Sequence, residues 1–235
     1  MRIFVDPAAL VAGELTVRGD EHHYLARVRR AHPGDAVELV DGAGRRAAAT
    51  IVRIATDETT LHAGPPERIA ARPPFVRVLV PLIKGDRMDA CIEKLVEVGV
   101  DAIVAWPAAR SVARLDDARR DARIAKYRAI AQAAARQSGR AEIPEITSVD
   151  GLAAALAGLP DGLRLVLDPT SDAALGAALD TAADVTVVSG PEGGLAPDEL
   201  DRLAGFTPLG LGPRVLRAET APMIAVALIR AATRS

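Results

Sequence analysis

The chain is short of the residues that several kinds of chemistry require. It has one cysteine, Cys91, among 235 residues, which excludes an internal disulfide. Its four histidines all lie before residue 63, so little is offered for a metal site and no metal is expected. Aromatic side chains make up only 3%, which leaves few platforms for stacking single-stranded bases. No apolar run approaches the length of a membrane span, and the one around Phe75 to Ile83 is far too short. The opening Met1-Arg2-Ile3-Phe4-Val5-Asp6-Pro7 carries an acid at position 6 and no small-residue cleavage site. It does not read as a signal peptide, and the cytoplasm is the expected location. A chain that is basic throughout is excluded by the net charge of −2.

What is present is an apolar content of 49% with 26% charged residues, the balance of a globular protein of one or two domains. The charge is unevenly spread. Residues 110–140 hold nine basic side chains against three acidic ones, whereas 146–235 hold six against eleven. A local cationic excess of this kind attracts phosphate. It also describes a solvated helix face in an arginine-rich chain, since 26 of the 29 basic residues are arginine.

The first part of the chain reads as short strands, at Glu14–Val17, Ala36–Val40 and Ala47–Ile54, with a helix from Asp20 to Arg30. Four prolines between Gly64 and Pro74 mark a linker, which divides the chain into 1–72 and 73–235. Beyond it strands and helices alternate. Strands are predicted at Phe75–Leu82, Asp101–Trp106, Leu163–Leu167, Val185–Ser189 and near Leu209. Helices are predicted at Arg87–Val98, Asp116–Gln137, Asp172–Leu179, Pro197–Ala204 and Ala221–Ala232. Such alternation predicts an α/β fold with a parallel sheet covered on both faces. Ligands in such sheets bind beyond the carboxyl ends of strands, which points to the loops after Ser189 and Leu209.

The first of these loops, Ser189-Gly190-Pro191-Glu192-Gly193-Gly194-Leu195, has glycines that allow positive φ and close approach of a ligand to the backbone. It lacks the Gly-Lys-Ser/Thr ending of a phosphate loop, and the acids beside it, Asp198 and Glu199 in the opening of the next helix, would repel phosphate. A cofactor without phosphate, such as S-adenosylmethionine, suits it. The second loop runs Leu209-Gly210-Leu211-Gly212-Pro213-Arg214-Val215-Leu216-Arg217-Ala218-Glu219-Thr220-Ala221. Thr220 is a candidate N-cap for the last helix, with Pro222 in its first turn. Arg217 and Glu219 beside an apolar helix suggest a site, and equally a pair that braces the loop.

Taken together the two loops resemble the cofactor signature of the RsmE family, the 16S rRNA uracil-N3 methyltransferases. The likeness continues in Lys84-Gly85-Asp86-Arg87-Met88, in Ile92-Glu93-Lys94-Leu95-Val96-Glu97-Val98-Gly99, and in Gln137-Ser138-Gly139-Arg140 with Ile143-Pro144-Glu145. It reaches back to His23-Tyr24-Leu25-Ala26-Arg27-Val28-Arg29-Arg30. The resemblance implies an N-terminal PUA-like β-barrel and a SPOUT domain closed by a C-terminal trefoil knot. It implies a homodimer, a substrate in the small ribosomal subunit, and S-adenosylmethionine held by Leu167, Gly190, Pro191, Glu192, Gly193, Leu209, Leu211, Gly212, Val215 and Leu216. This chain departs from the family at Arg136 and at Ala108-Ala109-Arg110, where relatives often carry an acid.

Uracil N3 must lose a proton before it can accept a methyl group, and the resulting anion needs a cation nearby. Glu219 as base and Arg217 as that cation are the candidates, with the bracing pair as the competing reading. Candidate RNA contacts are Arg27, Arg30, Arg110, Arg123, Arg136 and Arg140. Arg119, Arg123 and Lys126 are expected on one helix face, with Ile124, Tyr127, Ala131 and Ala134 buried on another. The terminal helix is apolar almost all round, which calls for burial by core or partner. Three alternatives stand beside this reading: another SPOUT RNA methyltransferase, a non-catalytic RNA-binding protein, and a small-molecule α/β enzyme.

Overall fold

The structure, a computed structural model, describes residues 1–70, 72–111, 117–176, 179 and 184–233, and of residues 117–119 only the backbone. The chain forms two compact units. One comprises Met1–Ala71 with Ala135–Ile143, the other Arg72–Ala134 with Pro144–Ser235. Residues 135–143, which include the Gln137 to Arg140 motif, therefore group with the N-terminal segment across a long gap in sequence.

In the first unit, strands β1 (Arg2–Phe4), β2 (Gly13–Arg18), β3 (Ala36–Val40), β4 (Arg45–Ile54) and β5 (Glu58–Ala63) form one sheet in the order β1-β3-β4-β5-β2, and β6 (Glu67–Arg68) pairs with β4. Alternation explains β4: Ala47, Ala49 and Ile51 face inward while Arg46, Ala48 and Thr50 face out. Helix α1 (Gly19–His23) runs on into a π-helical turn, Tyr24–Val28, within the span expected to be one helix. The core gathers Ile3, Leu10, Leu25, Leu39, Ile51 and Leu61. Strands β1 and β5 escaped prediction: β1 is three residues long, and β5 carries the adjacent Thr59 and Thr60, which offer no hydrophobic contrast although one is buried and the other half-buried.

The second unit is built on β7 (Phe75–Pro81), β8 (Ala102–Trp106), β9 (Glu145–Ser148), β10 (Leu163–Leu167), β11 (Asp184–Val188) and β12 (Thr207–Leu209). They form one wholly parallel sheet in the order β12-β10-β11-β7-β8-β9. Its helices are α2 (Asp86–Val98), α4 (Leu152–Leu156), α5 (Pro197–Arg202) and α6 (Ala221–Ala232); α3 (Asp117–Ser138) belongs to this unit up to Ala134. Along α3 the side chains of Ile124, Tyr127, Ala131 and Ala134 are buried, on the predicted face. The side chain of Arg119 lies outside the described residues, as does Asp116. Of the helix predicted over Asp172–Leu179, residues 172–176 have no helical structure, while Leu179 lies in a 3₁₀ turn and its N–H donates to the Gly176 carbonyl at 3.1 Å. Its Asp-Ala-Ala-Leu-Gly-Ala-Ala-Leu run has helical spacing, yet the backbone there is spent on the neighbouring loop, with Ala173 accepting from the Gly210 N–H at 2.9 Å.

Candidate functional site

Three loops leave the carboxyl edge of the adjacent strands β12, β10 and β11. After β10, the Asp168 N–H donates to the Leu209 carbonyl at 3.1 Å. The Thr170 N–H and hydroxyl bond Asp168 Oδ1 at 2.8 and 2.7 Å, an Asx turn that folds the chain back toward β12. The Ser171 carbonyl then stands so close to Gly210 that an added Cβ would lie 1.8 Å from its oxygen. Only glycine fits. Sequence reasoning assigned Leu209, Leu211 and Gly212 to the site and passed over Gly210 between them, because the crowding comes from a loop some 40 positions away.

In the first glycine loop, Ser189 and Pro191 are buried, Leu195 is half-buried, and Glu192, Gly193 and Gly194 are exposed. The Gly194 N–H donates to the Pro191 carbonyl at 2.9 Å, and Gly194 carries the positive φ of 72°. Gly193 has no such φ; a Cβ there would meet Arg110 Cβ at 3.2 Å and its carbonyl oxygen at 3.4 Å. Arg110 Nη1 donates to the Gly193 carbonyl at 3.2 Å, so this exposed arginine is bonded to the loop. Glu199, one of the acids opening α5, is buried rather than directed at a ligand. Its carboxylate accepts the Ala196 and Ala109 N–H groups, each at 2.8 Å, and so joins the helix start to the segment around Arg110.

In the second loop Leu209 is buried, Gly210, Leu211 and Leu216 are half-buried, and Gly212 and Val215 are exposed, Val215 at 82%. Leu167, at the end of β10, is half-buried. Thr220 does not cap α6 with its side chain: its backbone is already helical. Instead the Thr220 and Ala221 N–H groups both donate to the Arg217 carbonyl, at 2.9 and 3.0 Å. Pro222 sits in the first turn as expected, where it needs no N–H partner.

The Glu219 side chain is 16% exposed, and its Oε2 is buried with no hydrogen-bond partner. The Arg217 guanidinium lies 4.0 Å from Glu219 Oε1 and is 77% exposed, at the outer limit of an ion pair. That geometry makes a weak brace, because an exposed, long pair is screened by water. Arg87 of α2 reaches the same carboxylate at 4.0 Å and Glu192 at 2.9 Å. Burial, and then the charge of Glu219, push the Cys91 thiol up to about 12.

The two loops thus present half-buried leucines, close-lying backbone and a buried carboxylate oxygen that has no hydrogen-bond partner. Among the described residues no three His, Cys, Asp or Glu side chains gather as metal ligands, and no helix is long and apolar enough to cross a membrane.

The expected RNA contacts are scattered. Arg27 and Arg30 are exposed in the first unit. Arg123 is half-buried beside Tyr127, whose phenol is pushed up by burial against the pull of Arg123. Lys126 pairs with Asp89 at 2.5 Å. Arg140 is half-buried. Arg136 is tied down: it pairs with Glu21 and lies 5.9 Å from the centre of the Tyr24 ring. Burial pushes the Glu21 carboxyl up, with the charge of Arg136 acting against it. A guanidinium engaged in this way has little left for phosphate.

Residues 71–230 match the family model described as an RNA methyltransferase domain, and residues 17–61 match an RNA methyltransferase PUA domain. The Mycobacterium tuberculosis protein named ribosomal RNA small subunit methyltransferase E is 36% identical over 239 residues, covering 97% of this chain and 90% of that protein. The protein of the same name from Bacillus subtilis is 31% identical over 231 residues, covering 93% and 90%. A crystal structure of the Neisseria gonorrhoeae protein of that name, bound to S-adenosyl methionine, superposes with a TM-score of 0.86 at 26% identity and covers 98% of this chain and 97% of that one. The fold is accordingly α/β with a PUA-like N-terminal domain, and the chain belongs to the ribosomal RNA small subunit methyltransferase E family.

Proposed function

We propose that the protein is an S-adenosylmethionine-dependent methyltransferase that methylates N3 of one uridine in 16S ribosomal RNA. The observation that carries the reading is the pair of glycine loops on the edge of adjacent parallel strands, with the partly buried Glu219 carboxylate and the exposed Arg217 guanidinium beside them. Leu167, Leu209, Leu211, Val215 and Leu216 would wall the cofactor, with backbone at Gly190, Pro191, Glu192, Gly193 and Gly212 lying against it. When bound, the cofactor supplies a methyl group on a sulfonium, ready for a nucleophile.

Glu219 accepts the N3 proton at a carboxylate oxygen, while Arg217 offers its guanidinium to the charge that develops on the uracil oxygens. The target base must leave its stack to reach them. Residues 1–72 serve as the RNA-binding domain, with Arg27 and Arg30 on its surface, and 73–235 as the SPOUT methyltransferase domain with a trefoil knot. Arg110, Arg123, Arg136 and Arg140 complete the candidate RNA contacts, Arg136 being the least available. The protein works as a cytoplasmic homodimer. The partner covers the side of α6 on which Leu228 is 44% exposed and Met223, Ile224 and Ala227 are half-buried.

The bracing reading survives for Glu219 because two arginines reach it, each at 4.0 Å. The test is methyl transfer from S-adenosylmethionine to small ribosomal subunits lacking the modification, with the product mapped by mass spectrometry. Methyl on N3 of one uridine is expected, with turnover in Glu219→Gln lower by about 10² to 10⁴ and cofactor binding retained. Methyl on a ribose, or on transfer RNA, would make the chain a different SPOUT enzyme. Normal turnover in folded Glu219→Gln would leave the carboxylate as a brace.

A further inference from the structure

Arg87 is given no role by the reading above. It sits in the first turn of α2, and its guanidinium, on a side chain 43% exposed, touches both glycine loops. One nitrogen, Nη1, lies 2.9 Å from Glu192 Oε1 in the first loop and 4.0 Å from Glu219 Oε2 in the second. Among the described residues it is the one cation in contact with both carboxylates. The Glu219 oxygen it faces is buried and has no hydrogen-bond partner, so the charge there is not satisfied by the rest of the fold. Arg217, on the other oxygen, is mostly in solvent.

We propose that Arg87 is a positioning residue of the cofactor site: paired closely with Glu192 and standing at the outer limit of an ion pair from Glu219, it sets the net charge that the two loops share. It thereby determines how strongly the site prefers the positively charged methyl donor over the uncharged thioether that methyl transfer leaves. This rests on the reading of the loops as the cofactor site. The donor and the spent product differ by one methyl group and one unit of charge. Two carboxylates standing alone would hold the sulfonium and so favour donor over product. A guanidinium between them offsets part of that field, so product and donor bind more evenly.

The effect has a size. A unit charge lost beside the loops, with the weak attraction typical of solvent-screened pairs, changes the preference by about fivefold. Exposure of Arg87 screens part of this, leaving about threefold. A merely structural tether would behave otherwise, weakening both ligands together and leaving their ratio alone.

The experiment is calorimetry of S-adenosylmethionine and S-adenosylhomocysteine with the full chain, in wild type, Arg87→Met, Arg87→Lys and Glu192→Gln. The ratio of donor to product affinity is expected to rise about threefold in Arg87→Met, return toward wild type in Arg87→Lys, and fall in Glu192→Gln. An unchanged ratio in Arg87→Met overturns the proposal, whether or not both affinities drop. Should Arg87→Met fail to fold, by circular dichroism, Arg87→Gln, which loses the charge but keeps a polar side chain, is read in its place, with the same rise expected and an unchanged ratio overturning the proposal. Wild-type protein that binds neither ligand would instead refute the cofactor reading itself.

Discussion

Replacing Gly210 by alanine is the sharpest test of how the loops beyond β10 and β12 are held. The new Cβ would stand 1.8 Å from the Ser171 carbonyl oxygen and 2.8 Å from its carbon, both backbone atoms that cannot rotate away. Relief requires the 168–173 loop and the end of β12 to part by more than an ångström. That parting breaks the Gly210 N–H bond to Ala173 at 2.9 Å and strains the Asp168 N–H bond to Leu209 at 3.1 Å. Each net hydrogen bond contributes about 1 kcal/mol, and overpacking adds about 1–3 kcal/mol, so Gly210→Ala should destabilise by roughly 2–4 kcal/mol. Because Leu167, Leu209 and Leu211 move with these loops, S-adenosylmethionine affinity should fall by tenfold or more. Gly205→Ala is the control: nothing lies within 4 Å of its Cβ and its φ is ordinary, so both quantities should stay near wild type. Urea denaturation and calorimetry read them. Wild-type stability and affinity in Gly210→Ala would mean that the two loops do not meet as described and would remove the close approach from the site.

Three further outcomes follow from packing and charge. Arg136→Ala should cost about 1–2 kcal/mol of stability by stranding Glu21 and uncovering Tyr24, with little change in the salt dependence of RNA binding, whereas Arg27→Ala should lower that salt slope at unchanged stability. Cys91, buried and with its thiol pushed up to about 12, should resist iodoacetamide near pH 8 until the protein is unfolded. Burial opposes the ionisation of Asp41, yet the Arg45 and Ala43 N–H groups and the Arg45 guanidinium outweigh it and hold the carboxyl below its ordinary 3.8. Its contribution is therefore present above that value and lost as pH falls through the lower folded one. The melting-temperature advantage of wild type over Asp41→Asn should accordingly be full near pH 6 and shrink toward about pH 3, a trend that thermal melts in that range would show or deny.

The chain by itself determined its elements wherever local pattern and burial agree. Strands Ala36–Val40 and Leu163–Leu167 and helix Ala221–Ala232 fall where apolar spacing puts them, and the wholly parallel sheet follows from strand–helix alternation. The two glycine loops were legible as tight connections for the same reason: glycine and proline directly after an apolar strand mark a turn. Tertiary structure decided the rest. Residues 172–176 have helical spacing, but a single carbonyl there is claimed by Gly210, and a hydrogen bond to a distant loop outweighs weak propensity. Gly194 rather than Gly193 takes the left-handed backbone, because the closing bond to Pro191 fixes which residue must turn. Arg136 looked like one more cation in a basic run until Glu21, 115 positions away, was found holding it. Arg87, quoted in sequence only as part of the run that opens a helix, is the cation shared by two carboxylates 105 and 132 residues further along. Sequence spacing carries periodicity and turn chemistry, which act over a few residues; which charges meet depends on how strands from distant parts of the chain are ordered in the sheet.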